Sequence, residues 1–246
     1  MRTTGVSLFC LLWVAIASFQ CSRDKMDPQE EILNLRAIGV SATPTLAPLL
    51  QDITFTFYAL TPKGQTVSFA TYTDSRMSQP LQPPVLPTTE VVLSKGALDL
   101  HQISGAYSMD TPISAAGISA DPGYTTLDYG LVLTTSGKRE PIFGSVVFFN
   151  PSHPAYEWQN HGVSITNLEE GQSVSGQDLE LQAKITGRNA EDYRIGWFIS
   201  SGTIANRRSL LTTSTDMKSG VQTIVVTARG RLSGKFAYAM IDVNVK

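Results

Sequence analysis

The sequence predicts an all-β chain of two β-sandwiches in tandem. Three observations carry that expectation. The 246 residues include 24 Ser, 25 Thr, 19 Gly and 13 Pro, a composition of strands and turns. Apolar residues recur with the two-residue period of a half-buried strand, and turn residues separate those runs. No long segment shows the period of an amphipathic helix. Hydrophobic residues, at 42%, are enough to build packed cores. Charged residues make up only 16% and the net charge is −2, which argues against a nucleic-acid-binding chain overall.

The N-terminus reads as an address. Arg2 precedes an apolar run from Val6 to Ala17, interrupted by Ser7, before the switch to Ser22-Arg23-Asp24-Lys25. That run has the size of a signal-peptide core and is too short to cross a bilayer. Two cleavage sites compete. Ala15-Ile16-Ala17 fits the small-x-small rule. The stretch Ala17-Ser18-Phe19-Gln20-Cys21-Ser22 resembles a bacterial lipoprotein signal, with Ser18, Phe19 and Gln20 where that family has Leu, a small residue and Gly or Ala. The resemblance implies residues 1–20 as signal peptide, Cys21 as the lipidated first residue and residues 21–31 as a tether. Ser22, not being Asp, implies sorting to the outer membrane of a Gram-negative cell. The two cysteines, Cys10 and Cys21, leave no disulfide in a mature chain, and lipidation explains the orphan thiol.

Residues 32–151 are expected to form the first sandwich. Leu33, Leu35 and Ala37 alternate with Asn34 and Arg36. Ile53, Phe55, Phe57 and Ala59 alternate with Thr54, Thr56 and Tyr58, ahead of a turn at Thr61-Pro62-Lys63-Gly64. Val67 and Phe69 open the next strand. Pro80, Pro83, Pro84 and Pro87 make 79–88 a polyproline loop or a sheet edge. Short strands follow at Glu90 to Leu93 and Leu98 to Ile103. Leu127 to Thr135 and Ile142 to Phe149 pair around Ser136-Gly137-Lys138.

Asn150-Pro151-Ser152-His153-Pro154 marks the boundary, and residues 152–246 are expected to form the second sandwich. Val163 and Ile165 lead. Leu179, Leu181, Ala183 and Ile185 alternate, and Ile195, Trp197 and Ile199 follow before Gly202. Gln222 to Ala228 pairs with Phe236 to Val245 across residues 229–234. This half resembles an immunoglobulin-like domain of the bacterial surface type. Leu179 to Lys184 stands as strand B, Ile195 to Ile199 as strand C, Thr223 to Ala228 as strand F and Tyr238 to Val243 as strand G. Trp197 takes the place of the buried strand-C tryptophan. The first half is similar, with Phe69 at that place.

Sequence motifs for catalysis fail at the level of spacing. No G-x-G-x-x-G, phosphate loop, G-x-S-x-G elbow or H-E-x-x-H occurs. His153, Glu157 and His161 are four apart, but Pro154 opposes the helix that would align them on a metal. No cofactor and no metal is expected. One charge cluster stands out. From Arg207 to Lys235 the chain carries six basic residues against Asp216 alone. The B–C and F–G loops share one end of such a sandwich. That would gather Arg188, Arg229, Arg231 and Lys235 into a site for an anionic polymer or an acidic envelope protein. Arg207 and Arg208 are expected toward the other end. The reading is thus a non-enzymatic envelope lipoprotein that binds or scaffolds. A surface-displayed adhesin, or the accessory modules of a glycan-acting enzyme, are the alternatives.

Overall fold

The computed structural model describes residues 31–43, 53–71, 86–107, 124–135, 138–149, 162–187, 192–230 and 235–246. The signal segment, Cys21, the Asn150 to Pro154 boundary, His153, Glu157, His161, Arg188 and Arg231 lie outside them.

Among the described residues, seven strands build the first part: β1 (Arg36–Thr43), β2 (Ile53–Pro62), β3 (Ser68–Thr71), β4 (Leu86–Lys95), β5 (Leu98–Tyr107), β6 (Tyr124–Thr134) and β7 (Arg139–Phe149). They form sheets of order β1-β2-β5-β4 and β3-β6-β7. Lettered A to G, that is ABED against CFG, the constant-type immunoglobulin order. The second part comprises β8 (Gly162–Ile165), β9 (Gln172–Val174), β10 (Leu179–Thr186), β11 (Tyr193–Ile199), β12 (Thr203–Ile204), β13 (Leu211–Thr215), β14 (Gly220–Gly230) and β15 (Phe236–Val245). Its sheets run β12-β13-β10-β8 and β11-β14-β15-β9. With β8 and β9 as two halves of strand A, the order is again DEBA against CFG. β9 adds to β15 in parallel.

The period-two pattern does its expected work in β10 and β11. Leu181 and Ala183 point inward, as do Tyr193, Ile195, Trp197 and Ile199. Trp197 is fully buried at the centre of that core, among Leu181, Ile224, Val226 and Val243.

Two local readings change. Ile32 and Leu35 are buried while Leu33 is 42% exposed, so the alternation read from Leu33 is out of phase, and the strand starts at Arg36. Ile32 instead packs on the second sandwich, where its N–H donates to Ile199 O at 2.9 Å, and Glu31 bridges Ile199 in parallel. The proline segment takes its edge form from Leu86 onward. Pro87 stands in β4, an edge strand, and the register shifts between Pro87 and Thr89.

The two sandwiches pack face to face. β2 and β5 bury opposite residues on opposite sides. Phe55, Phe57 and Ala59 turn toward one face, while Tyr58, Leu60, Leu98 and Leu100 turn toward the second sandwich. There they meet Val225, with Phe198, Tyr238 and Met240 around it. Polar contacts lock the same seam. Gln102 Nε2 donates to Tyr238 OH at 2.9 Å, Ala97 N–H to Thr223 Oγ1 at 3.1 Å, and Lys95 Nζ to Met240 O at 2.8 Å. Lys95 also pairs with Glu170 at 2.7 Å. Burial, with Tyr58 alongside, pushes the Tyr238 phenol up despite the Gln102 bond. The β11-β14-β15-β9 sheet is therefore covered on both faces, and β14 is buried along Gln222 to Ala228.

Candidate anion-binding site

Where the first sandwich stops covering this sheet, a cavity of about 610 Å³ opens. Its described lining includes Ile38, Gly196, Phe198 and Thr227, together with Arg194, Arg207, Arg208 and Arg229. No acidic residue is among these described lining residues.

The strand register builds one half of the arginine set. In β11 the odd residues fill the core, so Arg194, Gly196 and Phe198 face outward. Their partners on β14 are Arg229, Thr227 and Val225. Arg194 and Arg229 are thus directly opposite on one face. Cβ atoms of such pairs are about 5 Å apart, and like charges there oppose folding. Next along, Gly196 faces Thr227, whose hydroxyl donates to Gly196 O at 3.2 Å. A Cβ at Gly196 would stand 2.7 Å from Thr227 Oγ1 and 3.3 Å from the Phe198 ring, so those two side chains close over the glycine and leave no room for a larger residue.

A folded-back turn supplies the other half. Trp197 N–H donates to Arg207 O at 3.2 Å, and Trp197 Nε1 to Ser209 O at 2.8 Å. Asn206 Oδ1 accepts from Arg208 N–H at 3.1 Å, and Asn206 N–H donates to Thr212 Oγ1 at 2.9 Å. These bonds hold the turn along the free side of β11. The expectation that Arg207 and Arg208 lie at the far end of the sandwich is corrected. The chain after β12 doubles back beside β11 and brings both arginines to the cavity that Arg229 lines.

Of the four residues expected at the loop end, Arg229 lines the cavity, and Arg188 and Arg231 lie outside the described residues. Lys235 stands at the entry to β15, where its carbonyl accepts from Gly230 N–H at 2.9 Å. It is not among the described lining residues, and burial pushes its ammonium pKa down. Arg194 was not singled out in the sequence. Its signal is there in the alternation of Tyr193 to Ile199, which marks it as outward. Only the register shows that it faces Arg229.

A second polar constellation lies in the first sandwich. His101 Nε2 is 2.9 Å from Thr61 Oγ1, and His101 Nδ1 is 2.9 Å from Glu90 Oε1. The order hydroxyl–imidazole–carboxylate is that of a nucleophile, base and orienting acid. Thr61 is 0% exposed, however, so no substrate reaches its hydroxyl. The chain of bonds ties β2, β5 and β4 together instead.

No protein-family profile matches the chain, and no curated protein does. Among solved structures it is similar to fibronectin(III)-like modules of Clostridium thermocellum CbhA, at 13% identity over 84% of this chain and 94% of that one, with a TM-score of 0.33. The PKD domain of human KIAA0319 matches at 18% identity over 39% of this chain and 88% of that one, with a TM-score of 0.30. A SusE-like surface-located polysaccharide-binding protein of Bacteroides thetaiotaomicron matches at 9% identity over 86% of this chain and 34% of that one, with a TM-score of 0.29. At these TM-scores, fold and site rest on this chain's own strands and residues.

Proposed function

We propose that this protein is a non-enzymatic envelope lipoprotein whose paired sandwiches present an anion-binding cavity. One observation carries the binding reading: Arg194 and Arg229 oppose each other across β11 and β14 inside a cavity that Arg207 and Arg208 also line. A bound anion would accept charge-assisted, bidentate hydrogen bonds from guanidinium groups placed in this way. Cys21 would be the lipidated residue, holding the protein to the outer membrane without enzymatic chemistry of its own.

The test has two arms. Sulfate titrated into the purified full chain should raise Tm, and Arg194→Gln with Arg229→Gln should abolish that rise. No rise for the parent protein at any sulfate concentration up to saturation of ionic-strength effects, matched with chloride, would sink the binding reading. Cys21→Ala should release the protein from membranes. Protease treatment of intact cells then separates a periplasmic scaffold from a surface-displayed adhesin.

A further inference from the structure

β4 closes one side of the β1-β2-β5-β4 sheet, and among the described residues no strand pairs with its outer edge. In an antiparallel ladder, alternate residues of an edge strand turn their N–H and C=O groups outward. Gly96 and Ala97 form a two-residue hairpin loop that sets Lys95 opposite Leu98. Counting back from that closing pair, Lys95, Leu93 and Val91 bond to β5, while Ser94, Val92 and Glu90 offer their main-chain groups outward.

The devices that keep such an edge from pairing stop short of its middle. Pro87 and the register shift between Pro87 and Thr89 interrupt the start of β4. Beyond them, the two charged residues of the strand are both engaged within the chain. Glu90 Oε1 lies 2.9 Å from His101 Nδ1, and Lys95 Nζ reaches Met240 O and Glu170 of the second sandwich. Between them stand Val91, Val92 and Leu93, 49%, 45% and 41% exposed. Val92 lies on the face of its partner His101, and Val91 and Leu93 lie on the face of Gln102 and Leu100. The strand is therefore apolar on both faces at its middle, and a long apolar edge is a template for another strand.

The order of side chains selects the strand that fits. Antiparallel pairing of β4 with itself about Val92 sets Val92 against Val92, Val91 against Leu93, Glu90 against Ser94 and Thr89 against Lys95 of the second copy. Apolar meets apolar, polar meets polar, and no like charges face each other. The Glu90 end of one strand lies beside the Lys95 end of the other. Moving the centre by one residue sets Glu90 or Ser94 against a valine, and a parallel pair in register aligns Glu90 with Glu90 and Lys95 with Lys95. A strand that matches its own reverse is the requirement of a two-fold interface. We propose that residues 89–95 of β4 pair with the same residues of a second copy of this chain, antiparallel about Val92, and join two β1-β2-β5-β4 sheets into one. The pairing lies on the first sandwich and does not depend on the arginine cavity. One strand pair of this length is smaller than a standard stable interface, so the dimer is weak and forms as concentration rises.

The experiment is sedimentation velocity of the purified full chain from about 5 µM to about 500 µM, in reductant so that Cys10 and Cys21 form no disulfide. The mean sedimentation coefficient should climb from the monomer value toward the dimer value. Val92→Lys and Val92→Glu each set like charges face to face at the two-fold centre, and each should weaken dimerisation by at least about tenfold. Mixed in equal amounts, the two variants should associate again, because a lysine then faces a glutamate. Val92 is exposed, so both variants should keep the Tm of the parent. A parent that stays monomeric across the range overturns the proposal. So does a parent dimer that both variants retain, or a mixture no more associated than either variant alone. A monomeric parent that instead binds a synthetic peptide of alternating threonine and valine gives the edge to a foreign strand and overturns the second copy.

Discussion

One sheet face of the second sandwich meets two different fates within a few residues. At Phe198 and Val225 it is apolar and covered by Leu60, Leu98 and Leu100 of the first sandwich. Two steps along the same strand pair, at Gly196 with Thr227 and then Arg194 with Arg229, the cover ends and the face becomes a cavity edged by arginines. The same backbone ladder runs under both halves, so the difference lies in side chains alone. The sealed half contributes stability through burial. The open half sets two like charges directly opposite each other, an arrangement that adds no stability of its own.

The strongest way to break the comparison is to damage the sealed half. Leu100 is fully buried in the seam. Leu100→Ala should destabilise by about 2–5 kcal/mol through lost burial and a residual cavity. Because the sandwiches share that core, the parent protein should unfold in one urea transition. The variant should separate into two, followed in a Trp158→Phe background by Trp197 emission for the second sandwich and by far-ultraviolet dichroism for the whole. Two transitions in the parent would show that the seam does not couple the sandwiches.

A smaller loss is expected at the hairpin that inserts into the seam. Gly96 joins β4 to β5 at φ +48°, and a Cβ there would run into Thr223 and Asp242 side chains of the second sandwich. Gly96→Val should cost about 1–3 kcal/mol from backbone conformation alone, with the clash adding to it. Gly64, at φ +84° in the turn after β2, meets nothing within 4 Å. Gly64→Val should therefore lose only the conformational part, and denaturant midpoints of the two variants separate strain from contact.

The difference between sealed and open halves was partly legible in the sequence. Leu179 to Ile185 alternates cleanly, the mark of a strand with one wet face, and β10 has one. Ile224-Val225-Val226 is unbroken, the mark of a strand buried on both faces, and β14 is covered by a sheet on each side. That contrast announced a third layer, and the tandem arrangement read from the sequence did not use it. The strand-C tryptophan, the B, C, F and G strands and the charge of residues 207–235 were readable because each is local. The site was not. Arg194 meets Arg229 only through register, and Arg207 and Arg208 reach them through a turn fixed by Trp197, Asn206 and Thr212 hydrogen bonds. β9 and β12, of three and two residues, carry no periodicity to read.

Acid sharpens the comparison from the far side of the seam. In β5, Leu98 and Leu100 face the second sandwich while Asp99 and His101 face away. Burial raises the Asp99 carboxyl, but bonds from Ser94 and from Gly64 N–H, at 2.6 Å, with His101 and Lys63 nearby, outweigh it and hold it below the ordinary aspartate range. A carboxylate with a depressed folded pKa adds stability that is complete above its unfolded value and lost as pH falls through the folded one. The parent protein should lose stability below about pH 4, and Asp99→Asn should flatten that loss. None of the described residues lining the cavity is acidic, so sulfate affinity per folded molecule should stay level while stability falls. An acid loss of identical size in Asp99→Asn would assign it to other carboxylates.

The smallest expected effect has the opposite sign. Arg194 is exposed, so Arg194→Ala removes little packing, and it relieves the repulsion from Arg229. Cross-strand pairs of this kind are worth about 0.2–1 kcal/mol, so the denaturant midpoint should rise slightly or hold. Arg194→Glu should raise it further by replacing repulsion with an ion pair. Both changes should weaken anion binding. Stability and binding would then move in opposite directions at one residue. Added salt should shrink the stability gain by screening the exposed charges. If Arg194→Ala destabilises the protein by more than about 1 kcal/mol, the residue holds the fold together, and the like-charge reading of the open half is wrong.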